Sequence, residues 1–165
     1  MTSFISDKNN NRPLIGVGVL IWREKQILLG ERCVSDQAIC WQFPGGHLEN
    51  DESVLACAQR EVVEETGLQI KNLRHLGFTD KLFSAGGRKY ITLLVSCDYS
   101  SGEAQVFEPD KCLGWKWFDY KVLPSPLFEP INIFLSQQVG SETSDLYSLH
   151  RASQGLSITA VDQHQ

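Results

Sequence analysis

The sequence predicts an α/β fold, a mixed β-sheet with helices on both faces. Three observations lead there. Apolar runs of strand length, rich in β-branched and aromatic residues, recur along the chain. Two stretches of good helix formers stand among them. Polar or glycine-bearing segments separate the runs, and such an order packs as strands covered by helices.

Each element has its own signal. Pro13 to Trp22 and Gln26 to Gly30 read as strands, and the polar Arg23-Glu24-Lys25 between them reads as a hairpin. Trp41-Gln42-Phe43 is a short extended piece leading into Pro44-Gly45-Gly46. Asn50-Asp51 offers turn and capping chemistry. Ser53 to Thr66 holds no Pro or Gly and predicts a helix, and Gly67 stands where its left-handed terminus would fall. Leu73 to Thr79 predicts a strand. Lys89 to Asp98 (KYITLLVSCD) is a strong strand signal after the Gly86-Gly87 loop. Gly114 to Phe118 (GWKWF) predicts another, with Trp115 and Trp117 expected on opposite faces, one in the core and the other at an interface or pocket. Phe128 to Gln138 predicts a helix with Ile131, Phe134 and Leu135 along one side. No internal repeat is visible. The chain divides into a polar segment, 1–12, a domain, 13–138, and a polar segment, 139–165, read as a tail or an interface arm.

Composition excludes several classes. A length of 165 residues suits one domain with a substantial core. Hydrophobic residues make up 42% and charged residues 21%, ordinary for a globular protein. The formal net charge is −5 and no basic run appears, which argues against tracking nucleic acid. No apolar run reaches membrane-spanning length, and the N-terminus lacks a signal core. Cys33, Cys40, Cys57, Cys97 and Cys112 are odd in number and show no C-x2-C pair, so they read as core residues of a cytoplasmic protein.

The chemistry concentrates in residues 45 to 68, GGHLENDESVLACAQREVVEETGL. On the helix, Glu61, Glu64 and Glu65 stand at i,i+3 and i,i+4 and share one face. Three carboxylates beside an apolar stripe repel one another, and a divalent cation relieves that repulsion. Carboxylate oxygens are hard donors suited to Mg²⁺ or Mn²⁺. Gly45 and Gly46 allow backbone to approach that face, where a carbonyl can serve as a further ligand. Arg60, one turn before Glu64, has the planar fork to hold a carboxylate. A solvated acidic helix is the usual meaning of a Glu-Glu pair, but solvation requires no glycines at these offsets.

Gly46, Glu52, Arg60-Glu61, Val62, Glu64-Glu65, Gly67 and Leu68 together resemble the Nudix box, G-x5-E-x7-R-E-U-x-E-E-x-G-U with U bulky and apolar, and no position departs. The segments LLGERC, FPGGHLE, YITLLV, EPDKCLGWKWFDY and LPSPLF extend the similarity toward the MutT-like, nucleotide-hydrolysing branch. The resemblance implies an α/β/α sandwich and Mg²⁺-dependent cleavage of a nucleoside triphosphate to monophosphate and pyrophosphate. Gly45, Glu61, Glu64 and Glu65 would hold metal, Glu52 and Gly46 would support them, and either Glu61 or Glu64 would be the general base.

The same resemblance offers substrate contacts. Arg32 and His47 would meet phosphates, and Thr92 would face the base. Phe43, Leu127 and Phe128 could sandwich the base, and Glu108 or Asp110 could supply a late metal ligand. Each has a plainer reading as surface charge, strand former, core residue or acidic loop. A purine, normal or oxidised, is preferred from YITLLV and EPDKC. A pyrimidine such as dCTP is the rival and an isoprenyl diphosphate a remote one. Lys81 to Ser84 lacks the proline of ADP-ribose hydrolases and the tyrosine of dinucleoside tetraphosphate hydrolases. A non-catalytic nucleotide sensor or scaffold is the rival of another class, but such proteins tend to lose box carboxylates. A homodimer is expected from the paired tryptophans, the C-terminal segment and analogy.

Overall fold

The computed structural model describes residues 12–34, 38–79, 83–85, 87–138 and 146–154. Among these described residues eight strands form one sheet: β1 (Leu14–Arg23), β2 (Gln26–Val34), β3 (Ala38–Gln42), β4 (Gly45–His47), β5 (Gln69–Phe78), β6 (Phe83–Ala85), β7 (Arg88–Ser101) and β8 (Cys112–Asp119). Three helices among the described residues accompany it: α1 (Val54–Thr66), α2 (Glu129–Gln138) and α3 (Leu146–Gln154). β1 runs parallel to β7 and antiparallel to β2 and β4, which makes the sheet mixed. β5 and β6 flank β7, and β8 joins β2.

β1 divides the core. Val17, Val19 and Ile21 point to one side, where they pack with Cys57, Ala58 and Val62 of α1. Leu20 and Trp22 point to the other, toward Ile131 and Phe134 of α2 and Leu146 of α3. Alternation along one strand therefore builds both layers of an α/β/α sandwich. Gly16 and Gly18 belong by that alternation to the α2 side, and they carry no side chain to fill it.

The helix boundaries differ slightly from expectation. α1 is capped by Ser53, whose Oγ accepts the Ala56 amide at 3.1 Å, rather than by Asn50 or Asp51. Gly67 ends it at φ 71°, as the glycine predicts. Trp115 and Trp117 both pack against the α1-side cluster. Residues two apart on a strand share a face, which corrects the expectation that they diverge.

The polar segment 139–165 also needs correction in part. Residues 146–154 form α3, with Leu146 and His150 buried against the sheet. The other residues of that segment, residues 1–11, and Lys81 and Leu82 of the 81–84 stretch lie outside the described residues. Among the described residues, no helix is long and apolar enough to cross a membrane.

Candidate active site

The site is built where β4 passes between β1 and α1. Gly45 pairs with Gly18 and Gly46 with Val17, so the turn lies flat on β1. At Gly45 φ is 151°, and a Cβ there would strike the Val17 carbonyl. A Cβ at Gly46 would overlap the Glu61 carboxylate. Both glycines are therefore required by close approach, one to β1 and one to the helix.

Arg60 organises the carboxylates. Its Nε and Nη2 donate to Glu52 at 3.0 and 2.7 Å. Nη1 donates to Glu61 at 2.8 Å and Glu64 at 3.2 Å, and Nη2 also reaches the His47 carbonyl at 3.3 Å. The hydrogen bonds from Arg60, followed by the Glu49 amide, hold the Glu52 carboxyl down to about 2. Arg60 itself is held firmly protonated by Glu52 and Glu61. Cys57 lies beneath, its thiol donating to the His47 carbonyl at 3.5 Å and accepting from Arg60 Nη2 at 3.6 Å. Burial pushes that thiol up to about 12.

Glu65 stands apart from this clamp. Its Oε2 accepts the Gly45 amide at 2.8 Å. Burial pushes its carboxyl up to about 7 despite that hydrogen bond, and the charges of Glu61 and Glu108 push in the same direction. Gly45 was expected to offer its carbonyl; the contact present is through its amide. Glu108 lies close enough to act on Glu65 and is paired with Lys111 at 2.8 Å, so the acidic loop after β7 does approach the cluster.

The donor set fits a hard divalent cation: carboxylate oxygens, one carboxyl that burial disfavours as an uncompensated anion, and backbone brought close by two glycines. The carboxylates are not gathered for it. Among the described residues, no three acidic, His or Cys side chains converge at ligand spacing, because Arg60 draws Glu61 and Glu64 to its own Nη1.

On the α2 side a cavity of about 190 Å³ opens beside the same turn. Arg32, Phe43, His47 and Thr92 line it as expected, with Gly45 and Gly46 at one end. Leu127 does not; it packs in the α2-side cluster and its neighbour Phe128 takes the wall. The Arg32 guanidinium lies 4.7 Å from the Phe128 ring centre and donates to Gln42 at 2.9 Å. His47 Nε2 lies 3.5 Å from the Tyr90 hydroxyl. Gln42, Tyr90, Gly16 and Gly18 also line the cavity and were not foreseen. A glycine at every second position of GVGV, within an otherwise bulky strand, was the available signal.

Residues 12–137 match the family model of the NUDIX domain, and the chain belongs to that family. A crystal structure of a MutT NUDIX hydrolase from Burkholderia pseudomallei superposes with a TM-score of 0.69 at 33% identity, covering 77% of this chain and 98% of that one. An RNA pyrophosphohydrolase from Hydrogenovibrio crunogenus is 26% identical over 133 residues, 70% of this chain and 78% of its own. A second, from Xylella fastidiosa strain Temecula1, is 38% identical over 73 residues, 44% of this chain and 36% of its own. The protein is thus a Nudix hydrolase, an enzyme of the diphosphatase type, with a MutT-like fold.

Proposed function

We propose that this Nudix hydrolase cleaves a nucleoside triphosphate to the monophosphate and pyrophosphate, with Mg²⁺ or, in its place, Mn²⁺. The preferred substrate is a purine nucleotide, normal or oxidised, such as dGTP or 8-oxo-dGTP. One observation carries the reading: Gly45 and Gly46 line the cavity and also touch Glu65 and Glu61. A base in the cavity would send its phosphates over this turn to the carboxylates. Arg32 and His47 stand along that route as donors.

Glu61, Glu64 and Glu65, with the Gly45 peptide, are the groups that would hold the cation. When bound, the cation supplies charge neutralisation for the phosphate oxygens and lowers the pKa of attacking water. Arg60 and Glu52 keep Glu61 and Glu64 oriented, and one of these two glutamates takes the proton from water. Among the described residues, no Ser, Cys or His nucleophile with an adjacent base faces the turn, so direct attack by water suits the site better than a covalent intermediate. A reducing, cytoplasmic setting belongs to the same reading, supported by five cysteines that are all unpaired. A homodimer is proposed by analogy alone, and light scattering at micromolar concentration checks it.

The test is a panel of nucleoside triphosphates with Mg²⁺, with inorganic phosphate and pyrophosphate measured separately. Pyrophosphate release, greatest from a purine, is expected. Release of phosphate alone would move the cut site. Preference for dCTP would overturn the base assignment. The relatives named RNA pyrophosphohydrolase justify a further arm with a 5′-triphosphorylated RNA, and higher efficiency there than on any free nucleotide would overturn the small-molecule reading. Absence of turnover on all of them would favour a nucleotide-binding sensor.

A further inference from the structure

The geometry points to Gln42 as a positioning residue that fixes the Arg32 guanidinium in the cavity while leaving its charge for the phosphates of the substrate. This deepens the proposed function and rests on its placing of a nucleotide in the cavity. Arg32 and Gln42 are diagonal neighbours. On the antiparallel pair β2–β3, Arg32 is opposite Cys40 and Gly30 is opposite Gln42, which puts both side chains on one face. Arg32 Nη1 donates to Gln42 Oε1 at 2.9 Å. Phe128 supports the same guanidinium with its ring centre 4.7 Å away. The Phe128 amide in turn donates to the Trp41 carbonyl at 2.8 Å. Both supports of Arg32 are therefore fixed to β3, at adjacent residues.

The chemistry of the support shows its purpose. Gln42 is only 7% exposed and lines the cavity with Arg32. A carboxylate is the usual partner of a guanidinium in such a place. Position 42 has instead the neutral amide of the same shape. Among the described residues no Asp or Glu pairs with Arg32, and the adjacent Glu31 is taken by Lys116 at 2.5 Å.

The lining of the cavity agrees. It includes Arg32 and His47 and no carboxylate among the described residues. The chain as a whole has a formal net charge of −5, and Glu61 stands against Gly46 at the end of the same cavity. An amide oxygen orients the guanidinium fork and cancels none of its charge. A cation held in place but not neutralised favours an anion, and phosphate oxygens are the anions that a nucleotide brings. Gln42 touches no part of the substrate in this account; it acts through Arg32.

The experiment uses two substitutions. Gln42→Glu keeps the acceptor and adds the negative charge, and Gln42→Met keeps the length and removes the acceptor. Steady-state kinetics with GTP and calorimetric binding of GMP are measured on both. Both variants should raise KM for GTP and weaken GMP by about 10-fold or more, the worth of a hydrogen bond to a charged group. Both kcat and the Mg²⁺ dependence should change little, because the interaction is made equally in the ground state and the transition state. A merely structural anchor would be satisfied by glutamate, so native GMP affinity in Gln42→Glu would overturn the proposal. A loss confined to kcat would overturn it as well. In an Arg32→Ala background, Gln42→Met should cost nothing further; an equal cost in both backgrounds would mean that Gln42 does not act through Arg32. Should Gln42→Glu fail to fold, this cycle decides alone. Should the unaltered protein bind GMP but cleave no triphosphate, the cleavage reading fails and the GMP affinities still decide on Gln42. Failure of the unaltered protein to bind GMP would overturn the proposal itself.

Discussion

Glu52 accepts two hydrogen bonds from Arg60, eight residues further along, at 2.7 and 3.0 Å. Glu52 precedes α1 and Arg60 sits at its middle, so the pair ties the entry loop down along the helix. The fork leaves Nη1 free to reach Glu61 and Glu64. Arg60 is thus a positioning residue that fixes three carboxylates at once.

Arg60→Lys keeps the charge but loses the fork. Glu52→Gln keeps the shape but removes the anion. Both should lower turnover by about 10- to 100-fold, the usual cost of disturbing groups that orient metal ligands. The Mg²⁺ concentration needed for half-maximal rate should rise with them. A collapsed rate at unchanged Mg²⁺ dependence would mean that Arg60 acts on the phosphates instead.

Glu65 is a desolvated carboxylate, and its Oε2 accepts the Gly45 amide. An amide oxygen accepts that bond equally well, so Glu65→Gln should fold normally. Without Mg²⁺ its melting temperature should equal or exceed that of the unaltered protein, since a charge repelled by Glu61 is gone. The stabilisation that Mg²⁺ adds should shrink, and turnover should vanish. Near-native turnover would remove Glu65 from the metal set. Glu61→Gln should likewise abolish turnover.

Cys57 is a buried thiol placed between the β4 backbone and the clamp. Cys57→Ser should retain most activity, because a hydroxyl can donate to the His47 carbonyl. Cys57→Val fills the space without a donor and leaves that carbonyl to Arg60 alone. The expected signature is a rate loss in the valine protein that serine rescues, with little change in KM. Equal behaviour of the two variants would reduce Cys57 to packing.

The box and its helix were legible because their signals are local. Helix spacing alone puts Glu61, Glu64 and Glu65 on one face, and Gly67 does end the helix in the left-handed region. The cavity was legible only in part. Thr92, Phe43 and Phe128 were found, but Leu127 was grouped with them; which of the two neighbours faces inward depends on the parallel bridge from Trp41 to Leu127. Gln42 reads as a strand residue until Arg32 is placed beside it across the β2–β3 pair. α3 was missed for a related reason. LYSLHRASQ has few apolar residues, and the group that anchors it, His150, is polar and finds its partners on β5 and β7, far away in sequence.

That anchor predicts how the protein responds to acid. His150 is 4% exposed and stacks on Trp22 at 4.7 Å. Its Nδ1 accepts from Arg74 of β5 at 2.6 Å and lies 2.9 Å from the Ser96 hydroxyl of β7, while Nε2 lies 3.2 Å from Asp98 Oδ1. Burial, then the Arg74 charge, pushes the imidazole down to about 4, against which Asp98 pulls only in part; Arg151 on α3 adds to the depression. The unfolded chain takes up this proton near pH 6.5 and the folded chain only near 4, so the unfolded state holds more protons between those values. The contribution is therefore complete above pH 6.5 and is lost as pH falls toward 4. Glu65 has the opposite sign over part of this range, because its raised carboxyl favours the fold as pH falls from about 7. The decisive quantity is accordingly the difference between two proteins. His150→Gln should melt lower than the unaltered protein at pH 7.5, and the gap should narrow steadily by pH 4.5, where the imidazole has become a liability. A gap that stays constant across that range would mean that His150 holds α3 by packing on Trp22 and not as a neutral acceptor for Arg74.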